Sequence, residues 1–231
     1  MKDALSPPAA PFTQAFLSKL PHGLAAGVHL PPRLGTPLEE ALSRLHPQER
    51  EIVDRARGWR QVQLAGGRLA FGTLLAELGL ERIAVRSDLH GAPILPPGWA
   101  GSLSHTRNLA VAIMAPGEHG LGIDVEETRR ARPGIAQRVL CPDEVAALSS
   151  PGEEARALQI LIHFSIKEAL YKAVHPLLRR PLNFRDFALQ ATGPGAVTVE
   201  ARLPEAGRLE LAAWYLLLDD HVLATAVARA R

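Results

Sequence analysis

The chain has 231 residues, 47% of them hydrophobic and 22% charged, which excludes a disordered, collagen-like or coiled-coil protein. A formal net charge of +2 does not indicate nucleic-acid binding, and no apolar run approaches the ~20 residues that cross a bilayer. Because the N-terminus also lacks the pattern of a signal peptide, we expect a cytoplasmic protein with neither nucleic acid nor membrane as a partner.

The first half of the chain predicts helices followed by short strands. Residues 1–35 are rich in proline and lack periodicity, which predicts an extended arm with one strand near residues 27–30. A capping-box pattern at residues 36–39 predicts one helix start, and His46-Pro47 predicts another. The remaining predicted elements are helix over about 48–78, in which Gly58 allows a break, a strand over 83–86, a proline-rich loop near 93–98 and a strand over 109–114.

The second half predicts a strand, three helices and four further strands. The predicted helices cover about 135–140, 142–148 and 153–174, the last of them closed by Pro176. The predicted strands cover 121–126, 182–190, 196–202, 209–218 and 221–229, with a hairpin across Asp219-Asp220. We therefore predict an α+β chain of two subdomains, residues 1–118 and 119–231.

The segment Gly-Ile-Asp-Val-Glu at 122–126 carries two carboxylates on an otherwise apolar strand. Strand side chains alternate between faces, so Asp124 and Glu126 share a face while Ile123 and Val125 share the other. Two like charges this close need neutralising, and oxygen ligands favour a hard cation such as Mg²⁺. The alternative is a strand end in water with both carboxylates solvated, and the segment alone leaves both interpretations open.

The segment 164–172 places charged residues on a predicted helix. Phe164, Glu168 and Lys172 follow each other at intervals of four, so they share one face. Lys167 and Lys172 are two of only four lysines in a chain that otherwise uses arginine. The face is either part of a polar site or an exposed ion pair worth a few tenths of a kcal/mol.

Two segments in the first half offer candidate phosphate ligands. Gly-Ser-Leu-Ser-His-Thr at 101–106 predicts a small-residue turn that presents His105, with a structural histidine as the alternative. Arg60 and Arg68 lie two helical turns apart, and the planar guanidinium group suits phosphate oxygens. The glycine pair between them lowers helix stability, which close packing or a ligand would explain.

These segments, in this order, resemble the 4′-phosphopantetheinyl transferases, specifically the monomeric surfactin/enterobactin-synthase type. GIDVE at 122–126 is similar to the family's G-[IV]-D-x-E, and FSIKEALYKA at 164–173 is similar to its [WF]-x-x-K-E-[AS]-x-x-K-A. GSLSHT at 101–106, RQVQLAGGR at 60–68 and HPLLRRPLNFRDF at 175–187 resemble three further family segments. The stretch HGAP at 90–93 departs from the family, which often has basic residues there.

The resemblance implies a pseudo-dimer of two similar α/β subdomains with the active site in the cleft between them. The first subdomain would contact the nucleotide of coenzyme A, and the second would carry the metal site and the catalytic helix. Since one chain supplies both halves, the protein is expected to be a monomer.

The resemblance also implies an activity and its residues. The family transfers the phosphopantetheine arm of coenzyme A to a serine of an acyl or peptidyl carrier protein and releases 3′,5′-ADP. Carriers of this kind serve fatty-acid, polyketide and nonribosomal peptide synthesis. The implied roles are Mg²⁺ (or Mn²⁺) on Asp124, Glu126 and Glu168; catalysis by Glu168 and Lys172; and coenzyme contacts from Arg60, Arg68, Ser104, His105, Lys167 and Lys172.

Four arginines that follow the carboxylate strand form a candidate docking surface for an acidic carrier, with a solvated basic loop as the alternative. Two other functions remain open on the sequence. One is a Mg²⁺-dependent phosphohydrolase that acts on a nucleotide or coenzyme, and the other is a non-catalytic module that binds coenzyme A or a carrier. The four arginines are Arg129, Arg130, Arg132 and Arg138.

Overall fold

The computed structural model describes residues 8–148, 152–191 and 195–231. The chain divides into two compact units, Met1–Gly117 and Glu118–Arg231, next to the boundary expected from the sequence. Residues 1–7 of the predicted N-terminal arm lie outside the described residues. Within the described part of the chain, no helix has both the length and the apolar character needed to cross a bilayer.

The first unit holds a four-stranded antiparallel sheet in the order β1-β2-β6-β5, with a long helix packed on β2 and β6. A two-residue ladder of β3 and β4 lies outside this sheet. The strands are β1 (Thr13–Leu20), β2 (Gly23–His29), β3 (Arg86–Ser87), β4 (Pro93–Ile94), β5 (Trp99–His105) and β6 (Leu109–Pro116). The helices are α1 (Glu39–Ser43), α2 (Pro47–Arg55) and α3 (Gly58–Glu77).

Close packing explains Gly66 of the glycine pair in α3, whereas a Cβ atom at Gly67 would make only ordinary contact with Leu103 at 3.8 Å. A Cβ atom at Gly66 would lie 2.3 Å from Leu30 Cδ2 and 3.1 Å from Ala110 Cβ, so only glycine lets the helix lie this near the sheet. The helix buries an apolar face that includes Phe71 and Leu74. Burial of this face offsets the lower helix propensity of glycine.

The two predicted helix starts in this unit have different outcomes. His46 caps α2: its ring nitrogen accepts from Gln48 N, and Glu49 bonds back to His46 N, as predicted for His46-Pro47. A helix does begin in the predicted segment 36–39, but the predicted capping box is wrong, because α1 begins at Glu39 without a side-chain cap. The Thr36 hydroxyl instead donates to the Arg33 carbonyl in the preceding turn.

Strand content in the first unit was underestimated. The predicted N-terminal arm is largely a hairpin of β1 and β2. The strand predicted near residues 27–30 overlaps the end of β2, whereas β1 was not predicted. The predicted turn at 101–106 is mostly strand β5, whose burial alternates residue by residue. Small residues in this segment have low strand propensity, which is why the sequence indicated a turn. The predicted strand over 83–86 is displaced to Arg86–Ser87.

The second unit holds a five-stranded antiparallel sheet in the order β7-β11-β10-β9-β8, with a long helix packed on β7 and β11. The predicted hairpin across Asp219 and Asp220 is confirmed. The strands are β7 (Gly120–Glu127), β8 (Phe187–Ala191), β9 (Ala196–Ala201), β10 (Leu209–Leu218) and β11 (His221–Ala230). The helices are α4 (Ala136–Val139), α5 (Pro142–Ala147) and α6 (Glu153–Leu178).

Helix α6 continues past the proline that was expected to close it. Pro176 lies inside the helix, which ends at Leu178 and is followed by Arg179 with a positive φ of 51°. Proline removes one backbone donor, but Arg179 N still bonds to His175 O at 2.8 Å and completes the last turn.

The backbone of α6 lies directly against β7. Cβ atoms at Gly120 and Gly122 would lie 1.7 Å from Ala173 O and 1.9 Å from Ala169 O. Any larger residue at either position would therefore push the helix away. Each unit thus combines one antiparallel sheet with a long helix, which confirms the predicted α+β class with two similar subdomains. The cleft between them stays a prediction.

Candidate functional site

Asp124 is the centre of a polar cluster between β7 and α6. Its side chain is buried, with 3% of the residue exposed. Ser165 Oγ donates to Asp124 Oδ2 at 3.0 Å, and Lys172 Nζ donates to Asp124 Oδ1 at 2.7 Å and to Ile123 O at 2.9 Å. The helix therefore fixes this carboxylate from two sides, and Lys172 neutralises its charge.

Glu126 and Glu168 lie near Asp124 and share its electrostatic environment. Burial raises the pKa of the Glu126 carboxyl to about 7, the negative charge of Asp124 adds to the rise, and Arg130 and Lys172 oppose it. Burial and the Asp124 charge also raise the pKa of Glu168. The carboxylates of Asp124, Glu126 and Glu168 thus interact with one another, and the described contacts of Lys172 pair it with Asp124. The two glutamates therefore add negative charge that Lys172 does not balance.

The donor set of this cluster fits a hard divalent cation in ligand type and charge. Carboxylate oxygens are the ligands that Mg²⁺ prefers, and a cation would relieve the repulsion that raises both glutamate pKa values. The described side chains do not converge into a ready group of three acidic, histidine or cysteine ligands. The ligand set of Asp124, Glu126 and Glu168 therefore stays a prediction.

In the first unit, two predicted residues meet at the start of α3. Arg60 Nη1 lies 3.3 Å from His105 Nε2. Arg68, two turns further on, is only 4% exposed, and its Nε atom is buried with no hydrogen-bond partner among the described residues. Burial lowers the pKa of the Arg68 guanidinium, the negative charge of Glu49 opposes this shift, and the charge of Arg60 adds to it. A buried guanidinium nitrogen without a protein acceptor among the described residues is suited to bind an anion.

A third arginine, which the sequence reasoning missed, lies beside these two. Arg86 on β3 lines the same depression of about 620 Å³ as Arg60 and Arg68. Among the described residues of this lining, Asp88 is the one with an acidic side chain. It accepts hydrogen bonds from His90 N and Ala92 N and so stabilises its own turn. The sequence did offer an indication of Arg86. It ends the predicted strand over 83–86 and lies just before the HGAP segment at 90–93, where the family often has basic residues.

Ser104 is not brought to this arginine group. Leu103 faces α3, because a Cβ atom at Gly67 would lie 3.8 Å from Leu103 Cδ1. Since side chains alternate along β5, His105 shares the face of Leu103 and Ser104 lies on the opposite, buried face. This placement does not support the predicted coenzyme contact from Ser104.

A second depression, of about 630 Å³, lies beside Glu168 in the second unit. Its lining combines the positive side chains of Arg138 and Arg185 with the aromatic rings of Tyr171 and Phe184. A lining of this kind suits a partly apolar ligand that carries negative charge.

The comparisons with known proteins decide the family. The family models described as "4'-phosphopantetheinyl transferase superfamily" and "4'-phosphopantetheinyl transferase N-terminal domain" match residues 120–226 and 48–115. The 4'-phosphopantetheinyl transferase Svp of Streptomyces mobaraensis is 32% identical over 71% of this chain and 68% of its own length. The chain belongs to the 4′-phosphopantetheinyl transferase superfamily.

Two further relatives and one solved structure are also similar to this chain. The transferase Npt of Nocardia iowensis is 32% identical over 62% of this chain, and PptT of Mycobacterium tuberculosis is 28% identical over 64%. The chain covers 64% of Npt and 67% of PptT, so about a third of each relative has no counterpart in the match. The solved holo-ACP-synthase of Plasmodium yoelii is 20% identical over 48% of this chain and 94% of its own, with a TM-score of 0.42.

Lys167 differs from the role that the superfamily resemblance implied. Its ammonium group is fully buried and donates to Glu144 Oε2 at 2.6 Å and to Val139 O at 2.9 Å, with Cys141 Sγ at 4.0 Å. An ammonium group has three donors, and these partners occupy them. Lys167 is among the residues that line the depression beside Glu168, but its ammonium group is occupied by these partners, which does not support the predicted coenzyme contact.

The four arginines of the candidate docking surface have different environments in this superfamily member. Arg129 pairs with the buried carboxylate of Glu127 at 2.5 Å. Arg130 is close enough to Glu126 to lower the pKa of that carboxyl. Arg132 donates to backbone carbonyls of its own loop, and Arg138 is exposed at the depression beside Glu168. Arg129 is therefore engaged by Glu127 and Arg130 acts on the acidic cluster, whereas Arg132 and Arg138 are exposed.

Proposed function

We propose that the protein transfers the 4′-phosphopantetheine group of coenzyme A to a serine of an acyl or peptidyl carrier protein. In this reaction Mg²⁺ is required and 3′,5′-ADP is released. The observation that carries the proposal is the buried Asp124, held by Ser165 and Lys172 beside two glutamates whose pKa values are raised. Membership of the superfamily supports assigning this cluster to phosphopantetheine transfer.

The arginine group of the first unit supports coenzyme A as the substrate. Coenzyme A carries a 3′-phosphate and a pyrophosphate, and guanidinium groups bind such oxygens in pairs. The buried Nε atom of Arg68 lacks a partner among the described residues, and Arg60 and Arg86 line the same depression. We assign this depression to the 3′-phosphate end of the coenzyme.

The acidic cluster supplies the residues for the transfer itself. Mg²⁺ held by Asp124, Glu126 and Glu168 would neutralise the charge of the pyrophosphate. The Glu168 carboxylate accepts the proton of the carrier serine while the serine oxygen bonds to the β-phosphorus. A raised pKa brings Glu168 closer to neutral pH and makes it a more effective base.

Lys172 serves the leaving group in this proposal. As the serine bond forms, the bond from the β-phosphorus to the bridging oxygen breaks and 3′,5′-ADP leaves with an added negative charge. The ammonium group of Lys172 is fixed on Asp124 and on the Ile123 carbonyl, so its position needs no reorganisation during the reaction. A fixed positive charge at this point stabilises the developing negative charge.

Intact-mass spectrometry of a carrier protein tests the proposal. The purified protein is incubated with coenzyme A, Mg²⁺ and an apo carrier, once with an acyl carrier and once with a peptidyl carrier. We expect each accepted carrier to gain the mass of one phosphopantetheine group, and the gain to disappear with EDTA or with Glu168→Gln. Glu154→Gln, an exposed change on the same helix, is the matched control and should leave the gain unchanged.

Two other outcomes would contradict the transfer. Release of 3′,5′-ADP without any modified carrier would indicate a phosphohydrolase. Binding of coenzyme A without either product would indicate a non-catalytic binding module.

A further inference from the structure

Glu144 joins three elements of the second unit through one buried carboxylate. The residue is 4% exposed. Its Oε2 atom accepts from Cys141 N at 2.6 Å, which caps α5, and from Lys167 Nζ at 2.6 Å on α6. Its Oε1 atom accepts from Leu189 N at 2.8 Å on β8, the edge strand of the sheet. The carboxylate therefore connects α5, α6 and the sheet edge.

Lys167 connects the same region to the wall of the depression beside Glu168. Besides Glu144, it donates to the carbonyl of Val139. The neighbouring carbonyls of Leu140 and Gln137 accept from the guanidinium of Arg185. These cations hold the backbone on both sides of Arg138, which lines the depression, so this wall depends in part on the buried pair.

The pair lies one residue from the proposed catalytic base. Lys167 directly precedes Glu168 on α6. Successive helical residues point about 100° apart, so the two side chains leave the helix in different directions. On another side of α6, Ser165 and Lys172 bond to Asp124. The helix is thus held from two directions by polar contacts, which determine its rotation about its own axis.

We propose that Glu144 and Lys167 are a positioning pair for the acidic cluster. The pair fixes the rotation of α6, and with it the place of Glu168 relative to Asp124, and Lys167 itself does not contact the coenzyme. This inference rests on the proposed function for its kinetic consequences. The contacts of Glu144 and Lys167 lie within the second unit and involve no residue of the acidic cluster.

A double-mutant cycle with Glu144→Gln and Lys167→Met tests the pair. Both changes keep the side-chain size, and the double variant leaves no unpaired buried charge. We expect each single variant to lower kcat about 10- to 100-fold, as misplacement of a catalytic group does, with an unchanged KM for coenzyme A. Because Glu144 and Lys167 act through one contact, the double variant should show a fall in kcat no larger than that of either single variant.

The cycle is measured below the unfolding transition of each variant, as followed by circular dichroism. Suppose instead that kcat falls far more in Lys167→Met than in Glu144→Gln, and that the two fold-changes multiply in the double variant. This would mean that Lys167 touches the reacting groups. An unchanged kcat in folded variants would mean that the pair contributes to stability alone. Either result overturns the proposal. If a single variant fails to fold, the double variant decides: it should fold and still show the lowered kcat.

Hydrogen exchange separates this inference from the proposed function. If the native protein modifies no carrier, the kinetic arm has no signal, but amide exchange still reports on α6. We expect faster exchange around Glu168 in both single variants, and at Leu189 in Glu144→Gln. Asp143→Asn is the matched control, because Asp143 pairs with Arg202 at the exposed surface. Unchanged exchange around Glu168 in both single variants would contradict a positioning role.

Discussion

A buried guanidinium retains its charge, so a partner for each of its donors is strongly favoured. Arg68 has little exposed surface, and its Nε atom finds no acceptor among the described residues. Desolvation acts against the charged form, yet an arginine side chain does not deprotonate in proteins. The free energy lost by burying this charge can be recovered when an anion binds, which makes Arg68 part of a binding site more readily than of a core.

The depression around Arg68 leads to a prediction for Arg86. Arg86→Gln should raise the KM for coenzyme A about 10-fold, because a charge-assisted hydrogen bond contributes ~1.5 kcal/mol or more. With dephospho-coenzyme A, which lacks the 3′-phosphate, the variant and the native protein should have equal KM values. Steady-state kinetics with both substrates make the comparison. Arg55→Gln, an exposed change on α2, is the control.

An equal rise in KM with coenzyme A and with dephospho-coenzyme A would contradict the assignment of Arg86 to the 3′-phosphate. Arg86 would then contact the pyrophosphate or stabilise the β3–β4 ladder.

The raised pKa of Glu126 predicts how stability depends on pH in the absence of metal. The carboxyl ordinarily titrates at 4.5 and in the folded protein at about 7. Between these values the native state keeps a proton that the unfolded state releases, so this group makes the free energy of unfolding fall as pH rises. Urea unfolding in EDTA should show a flatter pH profile for Glu126→Gln than for the native protein.

Parallel profiles for the two proteins would contradict the predicted titration. Adding Mg²⁺ to the native protein should raise Tm more at the upper end of this pH range than at the lower end. The reason is that a metal binds the deprotonated carboxylate.

Individual site residues were predictable where their chemistry is unusual for their local pattern. Asp124 and Glu126 interrupt an apolar strand, and Glu168 and Lys172 share a helix face, so both pairs could be read from spacing. Lys167 could not, because its partner Glu144 lies 23 residues away in the chain and only the fold brings them together.

At the scale of elements, the contact between β7 and α6 depends on glycine. Gly122→Ala would place a Cβ atom 1.9 Å from the carbonyl oxygen of Ala169, and backbone cannot move as a flexible side chain can. We expect the variant to lose about 3 kcal/mol of unfolding free energy, the upper end of the range for overpacking. Urea unfolding measures the loss.

Gly134→Ala is the control, since a Cβ atom there meets nothing within 4 Å. Equal stability of the two glycine variants would show that α6 can move away from β7 without cost.

Helices and strands were predicted well where the apolar residues of a segment follow one clear periodicity. They were predicted poorly where a segment is buried on all sides and shows no such periodicity. Strands β6 and β7 and helix α6 have long apolar runs or faces and were placed within a few residues. Only the end of β2 was predicted, because the strand is buried on both faces and its small apolar residues show no alternation. The glycines and serines of β5 carry weak strand propensity, and only pairing with β6 makes that segment a strand.

At the scale of the whole molecule, carrier recognition is predicted to depend on positive charge near the acidic cluster. Arg132→Glu with Arg138→Glu should raise the KM for an acidic carrier about 10-fold and leave the KM for coenzyme A unchanged. Both side chains are exposed and neither belongs to the acidic cluster, unlike Arg130, whose charge stabilises ionised Glu126.

Salt provides an independent check on this charge effect. Because Coulomb attraction between exposed groups is screened, the difference between the variant and the native protein should shrink as ionic strength rises. A difference that persists at high salt would mean that the two arginines act through shape or local structure.

The direct contact of backbone with backbone at Gly120 and Gly122 also bears on how this protein can diverge. No side chain determines the spacing of β7 and α6 at these positions, so core residues elsewhere in the second unit can change size without moving Lys172 relative to Asp124. Substitutions among apolar core residues away from this contact are therefore expected to change stability more than the distance between Lys172 and Asp124. Relatives would then differ in that apolar core and keep this distance.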